Sequence, residues 1–322
     1  MDCATVKAGS AMSLTPELVV EAMAEVGESP IWDERRASLW WVDIYRCQLM
    51  EWSPNAGLRC AASLDQCLGF VVPMESGAWL AGVRDGFGVI DGHGRFELTV
   101  PVDRDKPEYR MNDGKADALG RVWAGTVSDA NPTEGYLYRL DASNHVVRIR
   151  DDVQYPNGIA WTRDGSRMYL VDSEARAINI WNVVDGELEH LAGRLQVRPS
   201  EGIPDGITID AEGGLWVALF GGSAVVRYGP SGEVDRRVEL PVPNPTGVTF
   251  GGKDLEDLYI TTARYGVKET MLASYPRGCG GIFRIRPGVR GLQTHLWAGR
   301  DGISVNRQDA GTSIHSLEGG TQ

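Results

Sequence analysis

The chain has 322 residues, 42% hydrophobic and 24% charged, which is the composition of a soluble globular protein with a full buried core. Its formal charge of −12 leaves no basic patch to neutralise phosphates or anchor to anionic lipid, which argues against nucleic acid and membrane surfaces as partners. Five cysteines without a CxxC pair (Cys3, Cys47, Cys60, Cys67, Cys279), no signal-like N-terminus and no 18-residue apolar run predict free thiols in a cytoplasmic protein.

In chain order, residues 1–16 are read as an N-terminal extension, 17–299 as one domain and 300–322 as a polar, Gly-rich tail. Within the domain one phrase recurs: a turn-forming residue, a variable residue x, a small or apolar residue, a short apolar strand, a polar turn and a strand bearing an aromatic. The copies begin GESPIWDERRASLWWVD, CLGFVVPMESGAWLAGV, NDGKADALGRVWAGT, PNGIAWTRDGSRMYLVD, PDGITIDAEGGLWVAL and PTGVTFGGKDLEDLYITT. Position x is Glu28, Leu68, Asp113, Asn157, Asp205 and Thr246, at steps of 40, 45, 44, 48 and 41 residues. Third strands such as GYLYRL and AVVRY and more polar fourth strands such as VVRIR complete each unit. A period in the forties with Gly-rich turns predicts an all-β fold, a six-bladed β-propeller of four-stranded antiparallel blades around a central channel. The apolar segment 17–24, ELVVEAMA, is expected to close the ring as the outer strand of the last blade and so remove an exposed edge.

Asn-Gly and Asp-Gly are hairpin signals, but here the hairpins already have turns in DALG (117–120), TRDG (162–165) and DAEG (210–213). Position x instead leads into the innermost strand, where its side chain can enter the channel. Glu28, Asn157 and Asp205 then offer two carboxylates and an amide oxygen. These hard donors suit one divalent cation: Ca2+ first, with Mg2+, Mn2+, Zn2+ or Fe2+ as alternatives. Without a cation, converging carboxylates would repel one another. The five histidines avoid these positions, which argues against zinc held through imidazole.

Trp40, Trp123, Tyr169, Trp216 and Tyr259 recur at one repeat position and are expected to fill the gaps between blades. The stretch 264–281 is long for a hairpin link and is either a lid or a packed surface loop. No GxSxG elbow, HExxH, P-loop or EF-hand is present.

The pieces GESPIW, RMNDGKADALGRVWAGT, PNGIAW, IPDGITIDAEGGLWVAL and FGGKDLEDLYITTAR, in register from about Val26 to Gly299, resemble the family of gluconolactonase, regucalcin (senescence marker protein 30) and related sugar lactonases. The resemblance implies a six-bladed propeller with a channel cation held by Glu28, Asn157 and Asp205, and substrate oriented by Arg110 and Asn112. It also implies hydrolysis of a sugar lactone to the open aldonic acid. That chemistry needs a polarised carbonyl and a base for the attacking water, and the cation is expected to supply the first and Asp205 the second. Asp113 is expected to support the metal site. Asp129, or else Glu134, is expected to supply an acidic substrate contact after AGT. The expected partner is a small sugar lactone, and the expected assembly a monomer or weak homo-oligomer. The rival readings are a phosphotriester- or aryl-ester-cleaving propeller and a non-catalytic calcium-binding one.

Overall fold

Short apolar strands separated by polar turns can bury their faces only by stacking sheet on sheet, and that is what the chain does. The structure is a computed structural model that describes residues 13–272, 275 and 278–299. Cys3, the tail 300–322 and most of the expected N-terminal extension lie outside the described residues.

The strands are β1 (Ser13–Val20), β2–β5 (Gly27–Asp33, Ser38–Asp43, Gln48–Ser53, Gly57–Ser63), β6–β9 (Leu68–Pro73, Trp79–Val83, Gly86–Ile90, Phe96–Pro101) and β10–β13 (Tyr109–Ala116, Val122–Ser128, Gly135–Leu140, Val146–Val153). There follow β14–β17 (Pro156–Trp161, Arg167–Asp172, Ala177–Val184, Glu187–Gln196), β18–β21 (Ile203–Ile209, Leu215–Phe220, Ala224–Tyr228, Val234–Glu239) and β22–β24 (Pro245–Gly251, Asp257–Thr262, Ile282–Arg286). Each group of four forms one antiparallel sheet in sequence order, and β1 completes the sixth sheet as β22-β23-β24-β1. The chain is therefore a six-bladed β-propeller.

The closing strand starts at Ser13, not at residue 17. Pro16 falls within a register shift between Ser13 and Glu17, where an outer strand tolerates a residue with no N–H to donate. At the seam Thr246 Oγ1 donates to Gly27 O at 2.5 Å, tying the sixth blade's inner strand to the first.

Six apolar clusters fill the six gaps between neighbouring blades. Trp40, Trp123, Tyr169, Trp216 and Tyr259 are buried in five different ones, as the repeat position predicted. Full burial of such a side chain contributes about 1.5–3 kcal/mol. The first hairpins carry a repeated polar clamp. Asp117 accepts from Leu119 N (2.9 Å), Arg121 N (3.0 Å) and Trp123 Nε1 (2.9 Å), and Asp210 accepts from Glu212 N (3.0 Å), Gly214 N (2.8 Å) and Trp216 Nε1 (2.9 Å). One carboxylate thus caps the turn and satisfies the indole buried behind it. Among the described residues no helix is long and apolar enough to cross a membrane.

Candidate functional site

Every inner strand breaks register at or immediately after position x. The shifts fall between Glu28 and Ile31, Leu68 and Phe70, Met111 and Gly114, Pro156 and Ile159, Pro204 and Ile207, and Pro245 and Val248. A bulge leaves a residue unpaired and re-aims its side chain, so the repeat places six bulges around one axis. The glycine after x allows the inner strands to approach. A Cβ on Gly158 would lie 2.7 Å from Asp205 O, and one on Gly206 would lie 2.7 Å from Gly247 Cα. The Asn-Gly and Asp-Gly pairs therefore mark close strand contact and not hairpin turns.

Two carboxylates outside the ring hold it in place. Asp43, at the end of β3, accepts from Glu25 N (2.9 Å) and Val26 N (3.2 Å). Asp172, at the end of β15, accepts from Gln154 N and Tyr155 N, both at 3.1 Å. Each clamps the backbone two and three residues ahead of its blade's x residue, Glu28 or Asn157. The repeat held this signal in the matching ends WVD and LVD.

Glu28, Asn157 and Asp205 meet at the axis, 7, 6 and 7% exposed. Ser29 N donates to Glu28 Oε2 at 2.8 Å. Ser173 Oγ gives its proton to Pro204 O (2.7 Å) and so must accept from Asn157 Nδ2 (3.2 Å). That bond leaves the Asn157 amide oxygen free as a donor atom for a cation. Asp205 Oδ1 is buried without a hydrogen-bond partner among the described residues. Burial first, then the charges of Asp205 and Asp113, push the Glu28 carboxyl well above the usual carboxylate range. Burial and Asp113 do the same to Asp205, against hydrogen bonds from Glu28 and Asn157. An orphaned buried carboxylate oxygen beside a second carboxyl and an amide oxygen fits a divalent cation in charge and in donor type.

These three residues line a cavity of about 220 Å3 together with Arg110, Asn112, Ser173 and a rim of apolar and aromatic side chains. Arg110 is buried. It donates to Asn112 Oδ1 (2.9 Å), Met111 O (3.3 Å), Tyr155 OH (3.4 Å) and Asp129 Oδ1 (3.3 Å). Asn112 Nδ2 donates to Pro156 O at 3.1 Å. Asp129 is half-exposed and pairs with Arg84 (3.2 Å) as well as Arg110. Its reach toward the cavity runs through Arg110. Glu134 accepts from Tyr109 OH (3.2 Å) and Asn131 Nδ2 (2.7 Å), away from the ring.

The remaining ring members differ. Leu68 is fully buried and Thr246 serves the seam. Asp113 lines a second cavity of about 400 Å3 at the other end of the channel, with Lys115, Trp161 and His295. Lys115 Nζ donates to Ile207 O at 3.1 Å, and its charge draws the Asp113 carboxyl down against the larger upward push of burial. The larger cavity shares only Glu28 with the ligand set Glu28, Asn157 and Asp205, so the donor chemistry gathers in the smaller one.

Within 264–281, Tyr265 N donates to Glu25 O (2.9 Å), Asn244 Nδ2 donates to Tyr265 O (2.8 Å), and Val267, Leu272 and Tyr275 pack into the gap between blades five and six. The described part of this segment is a packed loop with Tyr265 at the cavity mouth. Cys47, Cys60, Cys67 and Cys279 are free thiols. The sequence reading missed the clamps Asp43 and Asp172, the relay Ser173, and the rim tyrosines Tyr45, Tyr155 and Tyr265.

Residues 26–264 match the SMP-30/Gluconolactonase/LRE-like region. Regucalcin from Danio rerio is 36% identical to this chain, over 89% of this chain and 99% of its own length. A solved calcium-binding protein, regucalcin from Agrobacterium tumefaciens, superposes with a TM-score of 0.81 at 26% identity, covering 89% of this chain and 97% of that one. A luciferin-regenerating enzyme superposes with a TM-score of 0.81 at 27% identity, covering 88% and 98%.

Proposed function

This chain belongs to the SMP-30/gluconolactonase/LRE-like family, and on that premise we propose that it is a cation-dependent lactonase that opens sugar lactones to aldonic acids. The observation that carries the reading is the orphaned Asp205 Oδ1, buried beside Glu28 and Asn157 in a cavity that also holds Arg110 and Asn112.

Glu28, Asn157 and Asp205 would hold one divalent cation, Ca2+ first by donor type. When bound, it supplies Lewis-acid polarisation of the ester carbonyl. The protein's own groups do the rest. Asp205 accepts the proton of the attacking water and returns it to the ring oxygen, which leaves as the hydroxyl of the open acid. Arg110 and Asn112, fixed to one another at 2.9 Å, orient the substrate above the ring.

The test measures proton release from glucono-δ-lactone by purified protein with added Ca2+, Mg2+, Mn2+ or Zn2+, after subtracting spontaneous opening. Asp205→Ala is expected to lose both cation binding and turnover. Near-normal turnover in that variant refutes the assignment. Tight cation binding by the wild type without turnover favours a calcium-binding protein, the description given to the Agrobacterium tumefaciens regucalcin.

A further inference from the structure

The small cavity is divided by depth. Its floor is the acidic and amide set on the inner strands, and its wall is Val26, Ile44, Tyr45, Ile203, Phe220 and Tyr265. Tyr45 and Tyr265 are 43 and 51% exposed, large rings left uncovered at the mouth although Trp32, Trp40, Trp41, Phe250, Tyr259 and Phe283 of the same two blades are buried. Their ring centroids lie 5.4 Å apart at 61°, an edge-to-face pair that holds one ring against the other at the mouth. The Arg110 guanidinium lies 5.9 Å from the Tyr45 ring centre and braces it from within.

Most of the polar side chains of the cavity wall are already bonded to the protein itself. Arg110 commits four of its five N–H groups, to Asn112, Met111 O, Tyr155 and Asp129, which leaves one Nη2–H for a substrate oxygen. Asn112 uses Nδ2 on Pro156 O and Oδ1 on Arg110. Ser173 gives its proton to Pro204 O, and Thr246 gives its proton to Gly27 O. What remains is that Nη2–H, the carboxyl and amide set at the floor, where the ester itself must sit, and the hydroxyls of Tyr45, Tyr155 and Tyr265. Glu174, the charged side chain at the rim, is exposed and hydrated. A chain of several hydroxyls lying on the ring faces and Phe220 would outnumber these partners, whereas an apolar one would remove water from the two tyrosines and Phe220.

We propose that the site also accepts, and prefers, lactones whose portion beyond the reacting ester is flat and apolar, such as an aryl-substituted γ-lactone, with the substituent against Tyr45 and Tyr265. This rests on the lactonase reading and extends its substrate class. Tyr45 and Tyr265 are then specificity-determining residues.

The test compares kcat/KM for 4-phenyl-γ-butyrolactone and for 2,3-dihydroxy-γ-butyrolactone, equal in ring size, each divided by its hydroxide-catalysed rate. The expected preference for the phenyl compound is about tenfold or more, the scale on which a hydrophobic wall discriminates. In Tyr45→Ala/Tyr265→Ala that ratio falls by about tenfold, chiefly through KM, while Tyr45→Phe/Tyr265→Phe retains it because the rings remain. A preference for the dihydroxylated lactone, or a ratio unmoved by the double alanine variant, overturns this inference and leaves the lactonase reading standing. Hydrolysis of neither compound nor of glucono-δ-lactone overturns both.

Discussion

Glu28 on the first blade and Asp205 on the fifth are buried beside one another at the propeller axis, 7% exposed each, and both line the smaller cavity. Burial and neighbouring carboxyls raise both groups above the ordinary carboxylate value of about 4. In the metal-free protein, folded carboxyls then bind protons more tightly than unfolded ones, so stability falls as the pH climbs from about 4 through the raised values. Protons and a divalent cation compete for these carboxyls, so the cation's affinity rises with pH. Melting curves from about pH 5 to about pH 8 are expected to fall in EGTA and to rise, relative to EGTA, with Ca2+. A calcium-induced shift of the same size at every pH would remove the pair from the cation site.

The clamps Asp43 and Asp172 act at identical distances ahead of Glu28 and Asn157, so their loss should be felt twice. Asp172→Ala leaves three backbone N–H groups, of Gln154, Tyr155 and Ala175, without their acceptor and costs about 1–3 kcal/mol. It also frees the segment that aims Asn157 and is expected to weaken Ca2+ binding about 10- to 100-fold. Asp141, which accepts from Ser143 N and His145 N in an exposed hairpin, is the control. Asp141→Ala is expected to leave calorimetric Ca2+ affinity unchanged. Equal losses of affinity in the two variants would mean that Asp172 acts only through global stability.

Most of the fold was legible because the propeller repeats one device six times. The six x residues, the order of strands within each blade and the inter-blade aromatics follow from spacing alone. The start of β1 at Ser13 did not, since Pro16 reads as a strand boundary and is tolerated only because this strand forms the sheet's outer edge. Glu28, Asn157 and Asp205 do gather at the axis. What makes them side-by-side donors is a bulge, a feature of backbone pairing that leaves no residue type as its mark. Tyr45, Tyr155 and Tyr265 were invisible for a different reason. They come from connections of unequal length, Tyr265 from the long 264–281 stretch, and share no repeat position. Asp113 sits in the ring as predicted, but its neighbour Lys115 turns the pair toward the opposite cavity.

The glycines after position x are expected to be intolerant of a methyl group. In Gly206→Ala the new Cβ meets Gly247 Cα at 2.7 Å and Thr246 O at 2.8 Å, both backbone atoms of the next inner strand. Strands pressed around one axis cannot yield singly, and an overpacking cost of about 1–3 kcal/mol is expected by urea denaturation. Gly193→Ala, in the outer strand β17, meets only Ile180 Cδ1 at 3.7 Å and should be tolerated or slightly stabilising. A Gly206→Ala protein as stable as wild type would show that the inner strands are looser than this geometry requires.

The buried pair Arg227–Asp210 separates stability from chemistry. Arg227 Nε donates to Asp210 Oδ2 at 2.7 Å and Nη2 to Oδ1 at 3.3 Å, and the Asp210 side chain is 0% exposed. The guanidinium lies flat over Gly214, where a Cβ would come within 2.3 Å of it. Arg227→Met preserves much of the volume but leaves the Asp210 carboxylate with N–H donors and no cation. Removing one partner of a buried pair typically costs about 3–5 kcal/mol. Arg227→Lys should recover only part of that loss, because an ammonium cannot reproduce the two-pronged contact. Neither Asp210 nor Arg227 lines the smaller cavity, so Ca2+ affinity measured well below the melting temperature is expected to stay within about twofold of wild type, as for sites that share no contacts. A larger change in affinity would mean that the fifth blade's first hairpin helps to aim Asp205, which this geometry does not show.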